Sequence, residues 1–485
     1  MYFSWFTLAY YVYWVILIYV TWQIINQYTI SSRASAWLFA VYMFPVVGLV
    51  TYFIFGVKRR KRKIYQQKQS ANQKARESRQ QRFKKALERN HEDLQKFSAL
   101  TAMVYRDTGN GITANNHLSL LENGEQKFPR LFADIEQAKH SIHLEYYIFR
   151  FDDVGSELVH RLIQKAKAGV AVRMVYDDYG CLGLNQAVLN RMRSHGIEVW
   201  PFAEINLFAF TERLNYRNHR KIVVIDNRIA YVGGINVGDE YKNDPNDHSS
   251  QSFWRDTHVR IVGPGVAYLQ QIFLNDWNFC TEQNLPVTVD IPEESTELPQ
   301  DDKGQLLQVI ASGPDSPQPS ILFAMLKAIH TAEEEILITT PYFIPNPSLM
   351  KALKIAVISG VSVKVLVPDA SDNWVVNAAA QSFYYELLMA GVEFYKYTKG
   401  FIHAKTMVVD DYLTVMGTAN FDERSFELNF EVNVLIFGER FASQVKQAFI
   451  QDIKAAKQLH VSSWERRSQL KKFLEKMARL IAPIL

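Results

Sequence analysis

Cysteine is almost absent from this chain: Cys181 and Cys280 are the two in 485 residues, far apart and in no CxxC pattern. That excludes a disulfide framework and a cysteine metal site, and both thiols read as small buried hydrophobes. A strong excess of one charge is missing as well. A net charge of +4 over this length argues against a chain that wraps nucleic acid over its whole surface, so any preference for anions has to be local. No HExxH pattern occurs. Charge of either sign is absent from Met1 to Ser32 and again from Ala34 to Val57, with Arg33 alone between the two runs.

Those uncharged runs carry the first expectation. Phe3 to Ile25 and Ala36 to Gly56 each reach the roughly 20 residues that a bilayer-crossing helix needs, and Trp5, Trp22, Trp37 and Tyr52 lie near their ends, where interfacial anchors belong. Lys58-Arg59-Arg60-Lys61-Arg62-Lys63 follows at once, a positive flank of the kind that stays cytoplasmic. The reading is a two-helix transmembrane hairpin over 1–57 and a basic juxtamembrane linker over 58–115. A cleaved signal peptide is the rival, but a basic n-region and a small-x-small cleavage site are both missing.

The remainder is organised by an internal repeat. Ile142 to Ile148, a helical stretch to Gly169-Val170 and then Val172 to Asp177 find their counterpart in Ile336 to Ile344, a helical stretch to Gly360-Val361 and then Val363 to Val367. Gly196-Ile197-Glu198-Val199 and Gly391-Val392-Glu393-Phe394 match in turn. Helix, strand, helix, strand is the grammar of βαβ units with a buried parallel or mixed sheet. The expected fold class is α/β: two duplicated domains, 116–285 and 305–485, around one shared active site. A Pro- and acid-rich linker, 286–304, joins them.

Each half carries the same chemical motif. The first copy is His219-Arg220-Lys221 with Asp226, then Gly233-Gly234-Ile235-Asn236; the second is His403-Ala404-Lys405 with Asp410, then Gly417-Thr418-Ala419-Asn420. The candidate catalytic set is therefore His219, Lys221, Asp226, His403, Lys405 and Asp410. On a strand His219 and Lys221 share a face, as do His403 and Lys405, whereas Asp226 and Asp410 have the opposite parity and suit a structural task. The glycines would let backbone approach an anion, with the Asn236 and Asn420 amides as donors. Two imidazoles, two ammonium groups and two amides suit a phosphoryl centre. Lysines neutralise the non-bridging oxygens, one imidazole attacks phosphorus, and the other protonates the leaving oxygen. A Lys two residues from each His would repel a cation, so no metal and no cofactor are expected. A pair of imidazoles in opposite protonation states predicts a bell-shaped pH dependence.

These residues resemble the phospholipase D superfamily, whose signature is His-x-Lys, four residues, then Asp, with a following Gly-rich turn and Asn. Among its branches the chain is similar to the bacterial cardiolipin synthases of the cardiolipin synthase A type. Pro45-Val46-Val47-Gly48, Asn215 to Lys221, Trp254-Arg255-Asp256, Thr340 to Pro345 and Asn420-Phe421-Asp422-x-Arg424-Ser425 carry the likeness over nearly the whole length. The resemblance implies transfer of a phosphatidyl group from one phosphatidylglycerol to another through a phosphohistidine, giving cardiolipin and glycerol. It implies one histidine as nucleophile and the other as acid, then base; His219 is taken as nucleophile and His403 as acid, with the reverse order left open by the symmetry of the halves. It also places an acidic residue against each histidine, with Asp256 and Glu431 at the matching positions. It also implies a multi-pass protein of the bacterial inner membrane with its catalytic domains in the cytoplasm. Its partners would be membrane phospholipids and not nucleic acid, and an oligomer is compatible with it. A phosphodiesterase and a lipid-binding scaffold with relict motifs are the other classes, but both sites are complete. Leu207-Phe208-Ala209-Phe210 reads as core or as a membrane-dipping loop. The stretch from Leu470 to Ile481 reads as an amphipathic helix that packs on its own domain or docks on a membrane.

Overall fold

The computed structural model describes residues 5–27, 31–53, 88–202, 216–243, 253–281, 283–287, 304–371 and 373–481. The chain divides into an amino-terminal unit and a much larger second unit that holds both repeat halves. In the amino-terminal unit the second uncharged run is not one helix. Pro45 opens a new helix, so Ser31–Met43 stops at 13 residues and Pro45–Thr51 at 7, as expected of a proline that cannot continue a helix but suits a first turn. Helix Trp5–Gln27 has 23 residues, yet Tyr10, Tyr11, Tyr13, Thr21 and Gln23 dilute its apolar character. Among the described residues no helix is long and apolar enough to cross a membrane. This corrects the expected transmembrane hairpin, and with it the multi-pass inner-membrane placement with cytoplasmic catalytic domains. The helices close instead on a small core of Leu17, Val20, Ile24, Val41, Leu49 and Tyr52. The basic run 58–63 and the segment 207–210 lie outside the described residues.

The first half of the second unit contributes β1 (Thr113–Glu122), β2 (Ser141–Tyr146), β3 (Ala171–Tyr176), β4 (Glu198–Pro201), β5 (Ile222–Ile225), β6 (Ile229–Gly233), β7 (Phe253–Arg255) and β8 (Thr257–Val262). The second half contributes β9 (Gln305–Ser312), β10 (Glu335–Thr339), β11 (Phe343–Ile344), β12 (Ser362–Pro368), β13 (Glu393–Tyr397), β14 (Gly400–Ile402), β15 (Thr406–Val409), β16 (Leu413–Gly417), β17 (Phe421–Asp422), β18 (Glu431–Phe437) and β19 (Ala456–Gln458). Fifteen of these strands form one sheet, in the order β19-β13-β12-β10-β15-β16-β18-β9-β1-β8-β6-β5-β2-β3-β4. Outward from the central antiparallel pair β1 and β9, the two halves repeat the same sequence of partners. The duplication read from the sequence thus folds as one continuous mixed sheet, with β2, β3 and β4 parallel and β5 antiparallel to β2.

Helices cover both faces of the sheet, so its central strands are apolar on both sides, as buried strands are. In β5, Val223 and Ile225 enter a core private to the first half, while Ile222 and Val224 enter one shared with Val309, Val408 and Val432 of the second. The expected linker 58–115 is partly folded. Leu94, Phe97, Leu100 and Val104, at three- and four-residue spacing in helices His91–Leu94 and Ser98–Thr108 and the turn between them, pack into the core of the second half. Residues 288–303 of the expected inter-domain linker are not among the described residues.

Candidate active site

The two His-x-Lys segments lead into β5 and β15, which begin one residue after Lys221 and Lys405. Neither histidine is tied to its own half. His219 N–H donates to Phe430 O at 2.9 Å, and His403 N–H donates to Arg255 O at 2.7 Å. A short parallel pairing of β14 with β7 and a bridge between Asn218 and Phe430 hold these crossings in register. The side chains cross in the same way. His219 Nδ1 lies 3.0 Å from both carboxylate oxygens of Glu431, and His403 Nδ1 lies 2.7 Å from Asp256 Oδ2. Each imidazole is therefore oriented by a carboxylate of the opposite half. Asp256 and Glu431 are fully buried.

A buried carboxylate facing Nδ1 accepts a hydrogen bond from Nδ1–H and leaves Nε2 as the nitrogen with a free lone pair. Burial pushes His219 down to about 4, with Glu431 pulling upward and Lys221 and Lys405 reinforcing the depression. His403 is likewise pushed down to about 4 by burial and then by Lys405, against the pull of Asp256. Burial works to raise Glu431 and Asp256, but the neighbouring imidazole and ammonium groups outweigh it and hold both below the usual carboxylate range. Both imidazoles are thus neutral at pH 7 in the unliganded site. Burial pushes Lys221 down to about 7, with Lys405 adding to the shift and Glu431 and Asp256 opposing it. Lys221 Nζ donates to His219 O at 2.7 Å and Lys405 Nζ to His403 O at 2.6 Å, which fixes both ammonium groups beside their own imidazole.

The two motif aspartates lie elsewhere. Asp226 and Asp410 follow the ends of β5 and β15 with φ of 52° and 50°, and their neighbours Asn227 and Asp411 also have positive φ. These are type I′ turns, in which Asp and Asn are favoured because they tolerate the left-handed region. The Asp226 carboxylate accepts the backbone N–H groups of Lys139, His140 and Ser141 at 2.7–2.8 Å. That of Asp410 accepts those of Glu333, Glu334 and Glu335 at 2.8–2.9 Å and Lys96 Nζ at 2.8 Å. Each thus ties its hairpin to the start of β2 or β10. Asn236 accepts Ile148 N–H at 3.2 Å and donates to the Tyr241 hydroxyl at 2.9 Å, whereas the carbonyl oxygen of Asn420 is buried without a partner. The Gly-rich turn makes room for a carboxylate. A Cβ at Gly234 would sit 2.1 Å from Asp256 Oδ1, so glycine makes room for the carboxylate that orients His403. The second half has Thr418 at this position, and its hydroxyl donates to Glu431 at 2.5 Å.

The family description "Cardiolipin synthase, PLD-like domain" matches residues 131–277 and 325–453, one stretch for each His-x-Lys copy. A cardiolipin synthase of Halalkalibacterium halodurans is 37% identical over 462 residues, covering 94% of this chain and 89% of that protein. Cardiolipin synthase 2 of Staphylococcus epidermidis is 38% identical over 462 residues, covering 94% of this chain and 93% of that protein. The chain belongs to the phospholipase D superfamily, among its cardiolipin-synthase-like members. The crystal structure of a phosphatidylserine synthase of Haemophilus influenzae Rd KW20 matches with a TM-score of 0.60 at 14% identity, over 80% of this chain and 100% of that one, a likeness of fold.

Within this phospholipase D-like site the structure gives contacts to Arg220, Trp254 and Arg255 of the quoted motifs and adds Tyr147 and Lys127, which no motif singled out. The Tyr147 ring stands edge-on to His219 with centroids 4.9 Å apart, and Trp254 lies tilted against His403 at 5.2 Å. Arg220 donates to Glu431 O at 3.2 Å and Arg255 to Asp256 O at 2.7 Å, so two arginines of the first half grip the backbone of the two carboxylates that orient the imidazoles. Lys127 is wholly buried and donates to Ile235 O at 2.6 Å. Its signal was present in the sequence, since it falls on the apolar stripe of helix Asn123–Gln137 with Phe128, Leu131 and Ile135.

Proposed function

We propose that this chain is a phosphatidyltransferase that makes cardiolipin and glycerol from two phosphatidylglycerol molecules through a phosphohistidine. The observation that carries the reading is the crossed pair of dyads, His219 with Glu431 and His403 with Asp256. It supplies two imidazoles, each with its Nε2 lone pair available and with an ammonium group beside it. His219 Nε2 attacks the phosphorus of the first phosphatidylglycerol, the bond from phosphorus to the glycerol oxygen breaks, and His403, protonated, gives its proton to that oxygen. Glycerol leaves. His403, now neutral, takes the proton from a hydroxyl of the second phosphatidylglycerol, whose oxygen attacks phosphorus and frees His219. Lys221 and Lys405 stabilise the charge on the non-bridging oxygens. Asp256 and Glu431 orient the imidazoles, and Asp226 and Asp410 brace the strands that carry them. The product comes to this chain from the names of its relatives and the phosphatidylglycerol donor from the family resemblance, and no cofactor enters the scheme.

The test supplies labelled phosphatidylglycerol to the purified protein and resolves the products. Cardiolipin with free glycerol is the expected outcome, and phosphatidic acid in its place would make the enzyme a hydrolase. His219→Ala and His403→Ala should each abolish product, and full turnover by either variant would remove that histidine from the scheme.

A further inference from the structure

Helix Gln469–Ile481 is packed with its apolar side turned away from the protein. Leu470, Phe473, Leu474, Met477 and Leu480 recur at the three- and four-residue spacing of one helix face, and all are exposed, by 47 to 72%. The inward side is polar or small: Glu475 and Ala478 are buried and Lys472 is half-buried. Glu475 pairs with Arg467 at 2.6 Å, and Arg479 lies over the Phe383 ring at 4.3 Å. Arg479 also pairs with Glu386 at 3.6 Å and Arg467 donates to Gln381 at 3.4 Å, so these contacts dock the helix on helix Trp374–Leu388 without using the apolar stripe. Glu475 is the one acidic residue of the helix, so the charges flanking the exposed stripe, those of Lys471, Lys476 and Arg479, are all positive. Beside the helix is a cavity of about 910 Å³ of mixed charge, whose walls carry Lys354, Lys476 and Arg479 together with Glu386, Glu465 and Glu475. Met389 and Tyr385 on the same walls are exposed, by 59 and 41%.

An amphipathic helix of a globular domain turns its apolar face inward. One that turns it outward between lysines has the pattern of an interfacial helix, with apolar side chains below the headgroups and cations among the phosphates. We propose that this face docks on an anionic phospholipid bilayer, with the stripe among the acyl chains and Lys471 and Lys476 on headgroup phosphates. Charge complementarity favours this occupant over a second copy of the chain, since a two-fold contact would bring the same lysines together at its rim. The inference rests on the reading that the substrate is a phospholipid.

The test uses the full chain with Met477→Cys labelled by an environment-sensitive nitrobenzoxadiazole, in a Cys280→Ser background; Cys181 is buried. Vesicles of phosphatidylcholine with phosphatidic acid should shift the probe to the blue and raise its intensity several-fold, an effect weakened by salt and quenched by brominated acyl chains. A probe at the exposed Lys167→Cys should stay water-like. An unchanged Met477→Cys probe on the anionic vesicles would overturn the proposal. So would a blue shift that follows protein concentration without vesicles, because it would assign the stripe to a second copy. The probe needs no turnover, so its result is independent of whether the transfer reaction occurs. Leu470→Ser, Phe473→Ser and Leu474→Ser combined should lower turnover at least about tenfold on vesicles and leave it unchanged on substrate dispersed in detergent. Equal losses on both would also overturn the proposal.

Discussion

An imidazole attacks phosphorus only through a nitrogen that carries no proton, and the carboxylates at His219 and His403 decide which nitrogen that is. Glu431→Gln or Asp256→Asn keeps the shape but lets the amide stabilise the wrong tautomer, so turnover should fall by about 10²–10⁴-fold with little change in thermal midpoint. Near-normal turnover in either variant would show that its carboxylate does not orient the reacting ring. The depressed pKa values carry a second expectation. A leaving glycerol needs one protonated imidazole, but in the free site both are held down to about 4 by burial. Above that pH the one-proton form becomes scarcer, by up to about tenfold per unit, so kcat/KM should fall as pH rises from about 5 to 8. A bound phosphodiester anion lies beside both rings and raises their affinity for a proton. The alkaline limb of kcat should therefore stand at higher pH than that of kcat/KM. Coincident limbs would contradict this assignment of the proton.

The element that matters most is the hairpin after each motif. Asp226 combines a turn conformation with three backbone acceptor bonds to residues 139–141, and the two contributions can be separated. Asp226→Gly keeps the positive φ and loses the acceptor, whereas Asp226→Ala loses both. Denaturant unfolding should find the alanine variant destabilised by about 2–4 kcal/mol and the glycine variant by about 1 kcal/mol less, while the folded fraction of each keeps its turnover per site. Loss of turnover without loss of stability would instead give Asp226 a part in the chemistry. Strand parity counted His219 to Asp226 as one regular strand, whereas β5 runs only from Ile222 to Ile225 and Asp226 opens the turn after it. Repeat spacing made the two α/β halves legible. The resemblance named Asp256 and Glu431 but counted each from the histidine of its own half; the crossed assignment was not legible, since it depends on β7 pairing with β14 and on Asn218 meeting Phe430, contacts between residues more than 140 positions apart. The uncharged amino-terminal runs misled for a local reason: length was read without weight for Pro45, which ends one helix and starts another.

At the scale of the molecule, neither half can make the site alone. The sheet runs through the β1 and β9 pair without a break, the core beneath β5 and β15 draws on both halves, and each dyad takes its imidazole from one half and its carboxylate from the other. The structure closes this arrangement within one chain, but the same contacts would form if two chains exchanged halves, and a mixing experiment separates the two. Purified His219→Ala and His403→Ala proteins are each inactive in the proposed scheme. If the site closes within one chain, mixing, denaturing and refolding them together restores nothing, because every site still lacks one histidine. If chains exchange halves, random pairing makes half the dimers mixed, and in each mixed dimer one of the two sites recovers both His219 and His403. Activity would then return to about a quarter of that of the unsubstituted protein. The continuous cross-half contacts within a single chain predict no recovery, read as cardiolipin formed per milligram after refolding, with the unsubstituted protein carried through the same cycle to show that refolding itself succeeds.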